Sequence, residues 1–442
     1  MTLRYIREIF SLSWMVVISR FAFFFIIFSD IVAVSAGTTT GLAAFTMGNY
    51  LNTVCWLLGY NFLSGARVYL THALGDHDET MAATVILVGI RLSAYTALVL
   101  FMISLTSWFI LPTFDYEPGL AKFIAGVTII LGAGLFFQLY HVVIDYFFEA
   151  QERPFIPMVI GLFGLSFNIA GNTVVAAYAS PESLAIWIAV WTCVTRFAMA
   201  VLAFIAFKRA FIEVVDSDQN LAEATAIAKK NIIQFGWATT ISAAGTMVLA
   251  AFGLIAGLKG IIVAAAFQIF INLAQFAVNF VNGIVTGMAV KIGKAFTSSI
   301  QGDIPHYVWS GIVISFGLSS ILFGAFVLLR DTILGLYTES QAVADEALGM
   351  LMSVGLIFLV LDAFVRVCSV TARSIGNRTY TTVLTVVTYV TSVALGYVFC
   401  VVLDADVNVM FYLMMMANLV IGLGIIARFI PYFVPSRRAA QP

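Results

Sequence analysis

WMVVISRFAFFFIIFSDIVAVSAG, residues 14–37, is the stretch that decides the fold. It is long enough to cross a bilayer as a helix, because about 20 apolar residues span the hydrocarbon core. It nevertheless carries two charges, Arg20 near its middle and Asp30 further on. A charged side chain at the centre of a bilayer costs about 2.5 to 3.5 kcal/mol, so such residues usually face a protein interior or a water-filled cavity. The stretch therefore predicts a membrane-spanning helix that presents Asp30 to a buried polar site.

The composition extends this prediction to the whole chain. Of the 442 residues, 62% are hydrophobic and 10% are charged, and the mean hydropathy is +1.02. Soluble domains are less apolar and carry about 25% charged residues. We therefore expect an all-α, polytopic membrane protein whose main partner is the lipid bilayer. A formal net charge of -1 supplies no basic face, so we expect no nucleic-acid partner.

Apolar runs separated by polar residues predict twelve spans. They lie near 10–36, 42–72, 82–112, 120–148, 156–180, 183–209, 231–257, 260–290, 306–330, 344–372, 380–404 and 407–432. The longest polar stretch, residues 208–231, separates the first six spans from the last six. This pattern predicts an N-terminal six-helix bundle at 1–210, a cytoplasmic linker at 211–230 and a C-terminal six-helix bundle at 231–442.

The distribution of basic residues predicts the orientation in the membrane. Short cytoplasmic loops carry an excess of Lys and Arg. With the N-terminus in the cytoplasm, fifteen of the 22 Lys and Arg residues fall on the cytoplasmic side and three on the other side. We therefore expect a protein of the cytoplasmic membrane with both termini in the cytoplasm.

The two halves resemble each other at a nearly constant shift along the sequence. LPT at 111–113 aligns with LYT at 336–338, and almost the same shift aligns Trp14 with Trp237. Repeats of six spans have the same orientation, so an axis along the membrane normal relates them. The sequence thus predicts two pseudo-symmetric bundles with a central cavity.

Polar stripes in the second span of each half are candidates for lining that cavity. The eighth span carries five amides at spacings of 4, 3, 4 and 3, which places them on one helix face. These amides are Gln268, Asn272, Gln275, Asn279 and Asn282. The second span carries a matching stripe of Thr46, Asn49 and Thr53. The amides could instead bridge helices, at under ~1–2 kcal/mol per hydrogen bond, but their repetition in both halves favours a substrate cavity.

Asp30 is the candidate for binding a coupling cation. It has no basic residue four positions further along the helix to neutralise it, and buried acids in membrane helices commonly bind ions or protons. Asn168 and Asn172 in the fifth span are four residues apart and share a helix face. Their amides suit either a cation or a carboxylate such as that of Asp30.

Two other pairs in the spans have more than one interpretation. Asp362 and Arg366 in the tenth span share a helix face, as a self-neutralised pair or as an ion site with its own counter-charge. His141 and Asp145 in the fourth span also share a face, close to the cytoplasmic loop that contains Arg153. We interpret the latter pair as part of a solvated network beside that loop.

The chain lacks the motifs of the common enzymes and metal sites. It contains no GxxxxGK[ST] phosphate loop, no HExxH, no GxSxG and no CxxC. We therefore expect no enzymatic activity, no catalytic residues, no bound metal and no cofactor. An ion gradient of H⁺ or Na⁺ remains as the energy source.

Several stretches resemble the multidrug and toxic compound extrusion (MATE) family, particularly its NorM-like branch. They are FSDIVAVSAG at 28–37, PMVIGLFGLSFNIAGN at 157–172, LYTESQAV at 336–343 and LDAF at 361–364. The resemblance covers nearly the whole chain and implies an antiporter that exports amphipathic organic compounds in exchange for Na⁺ or H⁺.

The resemblance also implies roles for individual residues. Asp30 matches the family's acidic residue of the first span, which binds the coupling ion, and Asn168 and Asn172 match paired polar positions of the fifth span. Asp362 matches the acid of the tenth span in the NorM-like branch. That branch also has a glutamate in the seventh span, where this chain has Gly245 and no acid in ATTISAAGTMVLAAFG, residues 238–253. Coupling is therefore expected at Asp30 rather than in the second half, and the inference of a polycationic substrate is weakened.

The sequence favours a monomeric exporter of small organic compounds that works by alternating access, and leaves three alternatives open. The first is a lipid-linked oligosaccharide flippase, which would need the intramembrane arginines to converge on the cavity. These arginines are Arg20, Arg91, Arg196 and Arg366. The second alternative is a dedicated exporter of a siderophore or peptide, and the third is a passive channel.

Overall fold

The computed structural model describes residues 3–113, 119–211, 221–247, 251–298, 300–337, 340–377 and 379–434, and all regular elements in these ranges are helical. The α-helices are α1 (Leu3–Ser35), α2 (Thr39–Gly75), α3 (Glu79–Ile110), α4 (Leu120–Ala133), α5 (Leu135–Ala150), α6 (Phe155–Tyr178), α7 (Leu184–Phe211), α8 (Leu221–Met247), α9 (Ala251–Lys259), α10 (Ile261–Thr297), α11 (Ile304–Leu328), α12 (Arg330–Tyr337), α13 (Gln341–Ser374), α14 (Thr379–Tyr397) and α15 (Asn408–Arg428). Short 3₁₀ turns occupy Leu111–Thr113, Gln301–Asp303 and Ile430–Tyr432, and a π-helical turn, Val398–Val402, extends α14.

Long helices occupy the predicted spans. Within the described residues, ten helical segments are long and apolar enough to cross a membrane. The second and seventh predicted spans are also helical, as α2 and as α8 with α9, but neither is among those ten. Asparagine side chains at Asn49, Asn52 and Asn61 lower the apolar character of α2.

The predicted fourth span is one apolar helical segment, Leu120–Ala150, in which Gly134 separates α4 from α5 but keeps a right-handed helical backbone. α4 ends at Ala133 and α5 begins at Leu135, with Gly134 between them. A Cβ atom at Gly134 would lie 2.9 Å from Cys193 Sγ and 3.0 Å from Arg196 Nη1. Gly134 therefore leaves room for the side chains of α7 that pack directly against it.

The chain forms two compact units. The N-terminal unit is Ile18–Thr240, and the C-terminal unit comprises Met1–Val17 and Ile241–Pro442. Helices α1 and α8 therefore each contribute residues to both units. The division at residues 210 and 231 stays a prediction.

Helices of the N-terminal unit surround α5. α2 packs on α3, α4 and α5, while α7 packs on α4, α5 and α6. All ten residues from His141 to Ala150 of α5 are buried. Leu63 of α2, Ile86 of α3 and Leu139 of α5 lie in the hydrophobic core of this unit and are at most 1% exposed. In membranes such a core is held mainly by close packing between helices.

The C-terminal unit repeats this arrangement. α10 packs on α11 and α13, α13 packs on α15, and α14 packs on α15. The N-terminal unit has the same pairings: α2 packs on α3 and on α4 and α5, α5 packs on α7, and α6 packs on α7. α2 and α10 are both 37 residues long. The two units thus have the same internal pattern of helix packing.

In both units, glycines allow a close crossing of helices from different halves of the sequence. In the N-terminal unit, a Cβ at Gly236 of α8 would lie 2.2 Å from the carbonyl oxygen of Phe62 of α2. In the C-terminal unit, a Cβ at Gly283 of α10 would lie 3.1 Å from the backbone of Val17 of α1. The first helix of each half therefore packs on the second helix of the other half.

Candidate functional site

Asp30 lies in the N-terminal unit, where α1 presents it to α6 and α7. Its carboxylate is buried, and Oδ1 accepts hydrogen bonds from Asn168 Nδ2 at 3.0 Å and Asn172 Nδ2 at 2.8 Å. Oδ2 accepts a hydrogen bond from Thr192 Oγ1 of α7 at 2.8 Å. Hydrogen bonds to an ionised group are about twice as strong as neutral ones. Three donors on two helices therefore stabilise the ionised form of Asp30.

The two asparagines also bond to each other and to α1. Asn168 Oδ1 accepts hydrogen bonds from Ser29 Oγ at 2.5 Å and from Asn172 Nδ2 at 3.1 Å. Asn172 Oδ1 is buried and has no hydrogen-bond partner among the described residues. The orientation of both amides is assigned from this network of hydrogen bonds. Carboxylate and amide oxygens next to each other are the ligands that hard cations prefer.

Small residues on α6 allow this network to form. A Cβ at Gly171 would lie 1.7 Å from Trp191 Cε2 on α7, and one at Gly164 would lie 2.3 Å from Met199 Sδ. The two glycines lie on either side of Asn168 on the face of α6 that meets α7. Because neither has a side chain, α7 approaches closely enough for Thr192, next to Trp191, to reach Asp30.

Thr192 and Arg196 are two residues that the sequence analysis did not assign to the site. Arg196 is 8% exposed and donates from Nη1 to the carbonyl oxygen of Leu131 at 2.9 Å. It follows Thr192 by one helical turn, so a positive charge lies near the carboxylate of Asp30. The sequence signal for these residues was their spacing of four, which places Thr192 and Arg196 on the same face of α7. That signal is weak, because single threonines are common in apolar helices.

In the C-terminal unit, Asp362 pairs with Arg366. Arg366 Nε donates to Asp362 Oδ2 at 2.5 Å and Nη2 donates to Oδ1 at 3.2 Å, a two-point ion pair. Arg366 Nη1 also donates to Asn282 Oδ1 at 3.3 Å. The structure thus brings together Asp362, Arg366 and Asn282, which are three of the candidate residues in the second half. The charge of Asp362 is neutralised by Arg366.

The polar stripes lie mostly on accessible faces of their units. Gln268, Asn272 and Gln275 are exposed, and Asn279 and Asn282 are partly buried. Gln268 Nε2 donates to Asn272 Oδ1 on the same helix at 3.2 Å. Amides that bridge two helices would be buried between them. The accessibility of these amides therefore favours contact with a substrate over a role in helix bridging.

The stripe on α2 is similarly placed. Thr46 is exposed, and Asn49 and Thr53 are partly buried. The hydroxyl groups of Thr46 and Thr53 donate to the carbonyl oxygens four residues earlier, each at 2.8 Å. The role of both stripes as the lining of a substrate cavity stays a prediction.

The four intramembrane arginines have different surroundings. Arg20 Nη2 donates to Glu149 Oε1 at 3.1 Å, Arg366 pairs with Asp362, and Arg91 is exposed. Arg196 donates to a backbone carbonyl, as described above. Two of the four are paired with acids, which is the arrangement that weakens the flippase alternative.

The prediction of a solvated network around His141 and Asp145 is wrong. Their side chains are 1% and 2% exposed, because α2, α3 and α7 all pack on α5. His141 Nε2 lies 3.4 Å from Asp145 Oδ1. Proximity to a loop in the sequence does not bring solvent to a residue when other helices cover that end of its helix.

Within the described residues, no group of three or more His, Cys, Asp or Glu side chains could hold a metal ion. The four cysteines are free. Neither observation bears on a monovalent cation at Asp30, for which one carboxylate and neutral oxygens suffice.

The family described as MatE matches this chain twice, at residues 16–174 and at 238–398. The two matched ranges are nearly equal in length. The shift from the first range to the second is close to the one that aligns Trp14 with Trp237, so the two matched ranges correspond to the repeated halves of the sequence. The matched ranges include Asp30, Asn168, Asn172 and Asp362.

Individual proteins show the same similarity. The chain is 32% identical over 99 residues, which is 22% of this chain and 22% of the other protein, to the probable multidrug resistance protein NorM of Xanthomonas axonopodis pv. citri (strain 306). That match spans about a fifth of the length of NorM.

Solved structures match over almost the whole chain. A MOP superfamily transporter from Pyrococcus furiosus has a TM-score of 0.84 at 17% identity and covers 97% of this chain and 96% of its own. A eukaryotic MATE transporter has a TM-score of 0.84 at 13% identity, with 99% and 98% covered. The matches confirm the predicted resemblance to MATE proteins and the all-α fold.

Proposed function

Because the chain belongs to the MatE family, we propose that it is a secondary active exporter that moves small amphipathic organic compounds out of the cell in exchange for H⁺ or Na⁺. The solved proteins of this fold are described as transporters, and family membership confirms the prediction that the chain is not an enzyme. The proposal rests on one observation, the carboxylate of Asp30 held by Asn168, Asn172 and Thr192.

Binding of the coupling ion at Asp30 changes how α1 is attached to α6 and α7. In its ionised form the carboxylate accepts all three hydrogen bonds. A proton on Oδ2 turns that oxygen into a donor to Thr192, whose own hydroxyl then donates to the carbonyl oxygen of Ile188 at 2.9 Å. A neutral carboxyl also accepts more weakly from the two asparagines. The attachment of α1 is therefore weaker or differently arranged when the proton is bound.

A sodium ion would act at the same place through the oxygen atoms. Asn172 Oδ1 is buried without a partner among the described residues, and Asn168 Oδ1 lies within the same network. Rotation of these amides would present their oxygens, together with Asp30, to the ion. In either case the ion competes with the hydrogen bonds that hold α1, which is the differential interaction that alternating access requires.

The substrate contacts are proposed to be uncharged. The stripe on α10 offers amides, the stripe on α2 offers hydroxyl and amide groups, and the charge of Asp362 is neutralised by Arg366. Such a lining suits an amphipathic compound with hydrogen-bonding groups and at most a single net charge, as in a monovalent organic cation. Siderophores and peptides fall within this class, so a dedicated exporter of one such compound is the second candidate function.

The proposed setting is a monomer in the cytoplasmic membrane with both termini in the cytoplasm. The excess of basic residues on that side supports this orientation. No cofactor is required for the mechanism, because the ion gradient supplies the free energy.

The test is transport in vesicles made from the purified chain, with ethidium as the probe compound and with H⁺ and Na⁺ gradients imposed one at a time. We expect one of the two gradients to drive transport in the wild type. Asp30→Asn should abolish the part of transport that depends on the gradient, because it removes the charge that binds the ion.

Asp345→Asn is the matched control, since it makes the same change at an exposed carboxylate of α13. It should transport at the wild-type rate. Gradient-driven transport that survives in Asp30→Asn would overturn the proposed coupling site, and transport that needs no gradient and does not saturate would favour a channel.

A further inference from the structure

α5 carries a row of titratable side chains that the coupling site does not use. His141, Asp145 and Glu149 follow one another at intervals of four residues, so they lie on one face of the helix. All three are at least 96% buried. The row begins inside the N-terminal unit and reaches the last turn of α5.

Glu149 is committed to two arginines from other helices. Arg20 Nη2 of α1 donates to Glu149 Oε1 at 3.1 Å, and Arg67 Nη1 of α2 lies 3.8 Å from Glu149 Oε2. The guanidinium carbons lie 5.2 Å from the ring centres of Tyr60 and Tyr146, respectively, as cation–π contacts. One carboxylate therefore balances part of the charge of two cations.

His141 and Asp145 have no comparable partners. His141 Nε2 lies 3.4 Å from Asp145 Oδ1, slightly longer than a hydrogen bond. Both ring nitrogens of His141 and Asp145 Oδ1 have no hydrogen-bond partner among the described residues. A buried carboxylate or imidazole without partners is unfavourable. A neutral imidazole already has one N–H that can turn toward the carboxylate. An added proton strengthens the contact, because the pair then holds either a neutral acid or an imidazolium beside the carboxylate.

Two charged groups act on this pair, Arg20 of α1 and Glu149 of α5 itself. Tyr60 and Arg67 of α2 and Tyr146 of α5 lie further out, around Arg20 and Glu149. The ring of Phe23 of α1 lies 5.7 Å from that of His141.

The remaining neighbours of α5 add no charge next to the pair. α3 meets α5 where Gly89 faces Val143, and α7 meets it where Phe207 faces Phe147. α6 contains no charged residue. Arg196 of α7 lies against Gly134, about two helical turns before His141.

The charges of the five groups balance in one protonation state. The two positive charges of Arg20 and Arg67 offset the negative charges of Glu149 and an ionised Asp145 when His141, the fifth group, is neutral. One further proton leaves a single net positive charge. The row thus has two accessible states that differ by one proton, and neither contains a large unbalanced charge.

We propose that His141 and Asp145 form a second proton-binding site, separate from Asp30, and that Arg20 transmits its occupancy to α1. The proton binds as a carboxylic acid on Asp145 or as an imidazolium on His141, and no bond between heavy atoms changes. Protonation takes the pair from one negative charge to none, so Arg20 loses the attraction of Asp145 and is held by Glu149 alone. Arg20 and Asp30 lie ten residues apart, about 15 Å along α1, so one helix connects the two sites.

The test is the uptake of protons by the purified full-length chain in detergent, measured with a pH indicator between about pH 8 and about pH 5, the range in which histidine sites respond. We expect Asp145→Asn to take up about one proton fewer per molecule than the wild type. Asp345→Asn, the same change at an exposed carboxylate, is the matched control and should not reproduce this deficit. Equal uptake by the wild type and Asp145→Asn would overturn the second site.

The histidine is tested by a separate observable, which also serves if Asp145→Asn does not fold. The chain has four histidines, and His141→Gln identifies the nitrogen-15 NMR signals of His141 by their loss. These signals should change with pH in the wild type, because the proton is shared with the ring. Signals that do not change over the same pH range would overturn the assignment of His141 to the site.

The link through Arg20 is tested with a double-mutant cycle. This part rests on proton binding at Asp30, and Asp30→Asn reports on that site by its own deficit in uptake, independently of Asp145. Asp145→Asn should shift the midpoint of uptake at Asp30, and Arg20→Gln should abolish the shift. The same shift with and without Arg20 would overturn the role of Arg20.

Discussion

At the scale of the residue, the important feature of Asp30 is the set of side chains that donate hydrogen bonds to its carboxylate. Asn168 and Asn172 lie on one helix and Thr192 lies on the next. A carboxylate on α1 is therefore the point at which three helices are joined by hydrogen bonds. Each donor contributes to the ion-free form of the site, so each can be removed to measure its contribution.

Replacing Thr192 with Val should slow gradient-driven transport while leaving the protein folded. Valine has nearly the same shape but no hydroxyl group, so the ionised carboxylate loses one of its three donors. A hydrogen bond to a charged group contributes about 1.5 to 3 kcal/mol, which corresponds to roughly 10- to 100-fold in rate if the whole contribution affects ion release. The measurement is the initial rate of ethidium transport in vesicles.

Thr192→Ser is the control for this substitution, because serine retains the hydroxyl group. It should transport at close to the wild-type rate. If Val and Ser at this position have the same rate, the hydrogen bond to Asp30 has no role in coupling.

A second residue pair provides a pH-dependent prediction outside the membrane helices. Lys259 at the end of α9 pairs with Asp404, two residues beyond the π-helical turn, and holds the pKa of that carboxyl below its usual value. A carboxyl with a lowered pKa in the folded state stabilises that state above the pKa of the unfolded state, and the stabilisation is lost as the pH falls. The pair therefore contributes at neutral pH and not in strong acid.

Asp404→Asn should lower the melting temperature slightly at pH 7, and the difference should begin to shrink as the pH falls below about 4 and should vanish in stronger acid. Asparagine tolerates the left-handed backbone at this position, where φ is 53°, so only the charge changes. High salt should reduce the difference as well. A difference that persists at low pH would mean that the ion pair is not its cause.

At the scale of the element, the contact between α6 and α7 determines whether the site can form. Gly164 and Gly171 leave room for Met199 and Trp191. The positions of Asn168, Asn172 and Thr192 depend on this close approach. The local sequence of α6 thus fixes the distance between the donors as well as their identity.

Gly171→Ala should destabilise the protein, because the new methyl group would overlap the indole ring of Trp191. Overpacking of this kind costs about 1 to 3 kcal/mol. The measurement is the temperature at which the detergent-solubilised chain loses its monodisperse peak in size-exclusion chromatography. Gradient-driven transport should fall with it, since α7 moves away from Asp30.

Gly126→Ala on α4 is the matched control. A Cβ there would lie 3.8 Å from Ile186 Cδ1, an ordinary contact, and alanine favours a helix over glycine by about 1 kcal/mol. This variant should be as stable as the wild type or slightly more stable. Equal loss of stability in both variants would show that glycine flexibility, and not the space beside Trp191, is what matters.

At the scale of the whole molecule, the sequence predicted the helices better than their surroundings. Long apolar runs placed the twelve spans, and residue type with helical spacing was sufficient to associate Asp30 with Asn168 and Asn172. Thr192 was missed because its relation to Asp30 depends on how α7 packs, which periodicity does not report.

The burial of His141 and Asp145 was predicted wrongly for a related reason. Spacing showed that they share a face of α5, but whether that face meets solvent is decided by α2, α3 and α7. These helices are distant from α5 in the sequence or separated from it by other elements. Tertiary contacts over such separations leave no mark on the local pattern of residues.

The orientation of the chain in the membrane gives a prediction for the molecule as a whole. Fusions of green fluorescent protein to either terminus should fluoresce, and fusions of alkaline phosphatase to the C-terminus should be inactive, because both termini are expected in the cytoplasm. A phosphatase fusion at the loop near residue 114 serves as the control and should be active. Active phosphatase at the C-terminus would reverse the assignment.

The contact between Gly171 and Trp191 also has a consequence for the evolution of the chain. The two positions share one space, which holds a large ring on α7 only while α6 offers no side chain there. Neither residue can readily change alone, since a larger residue at the first position clashes and a smaller one at the second leaves a void. In relatives with the same helix packing, the two positions should therefore vary together, and covariation between them would be a sequence marker for the distance between α6 and α7.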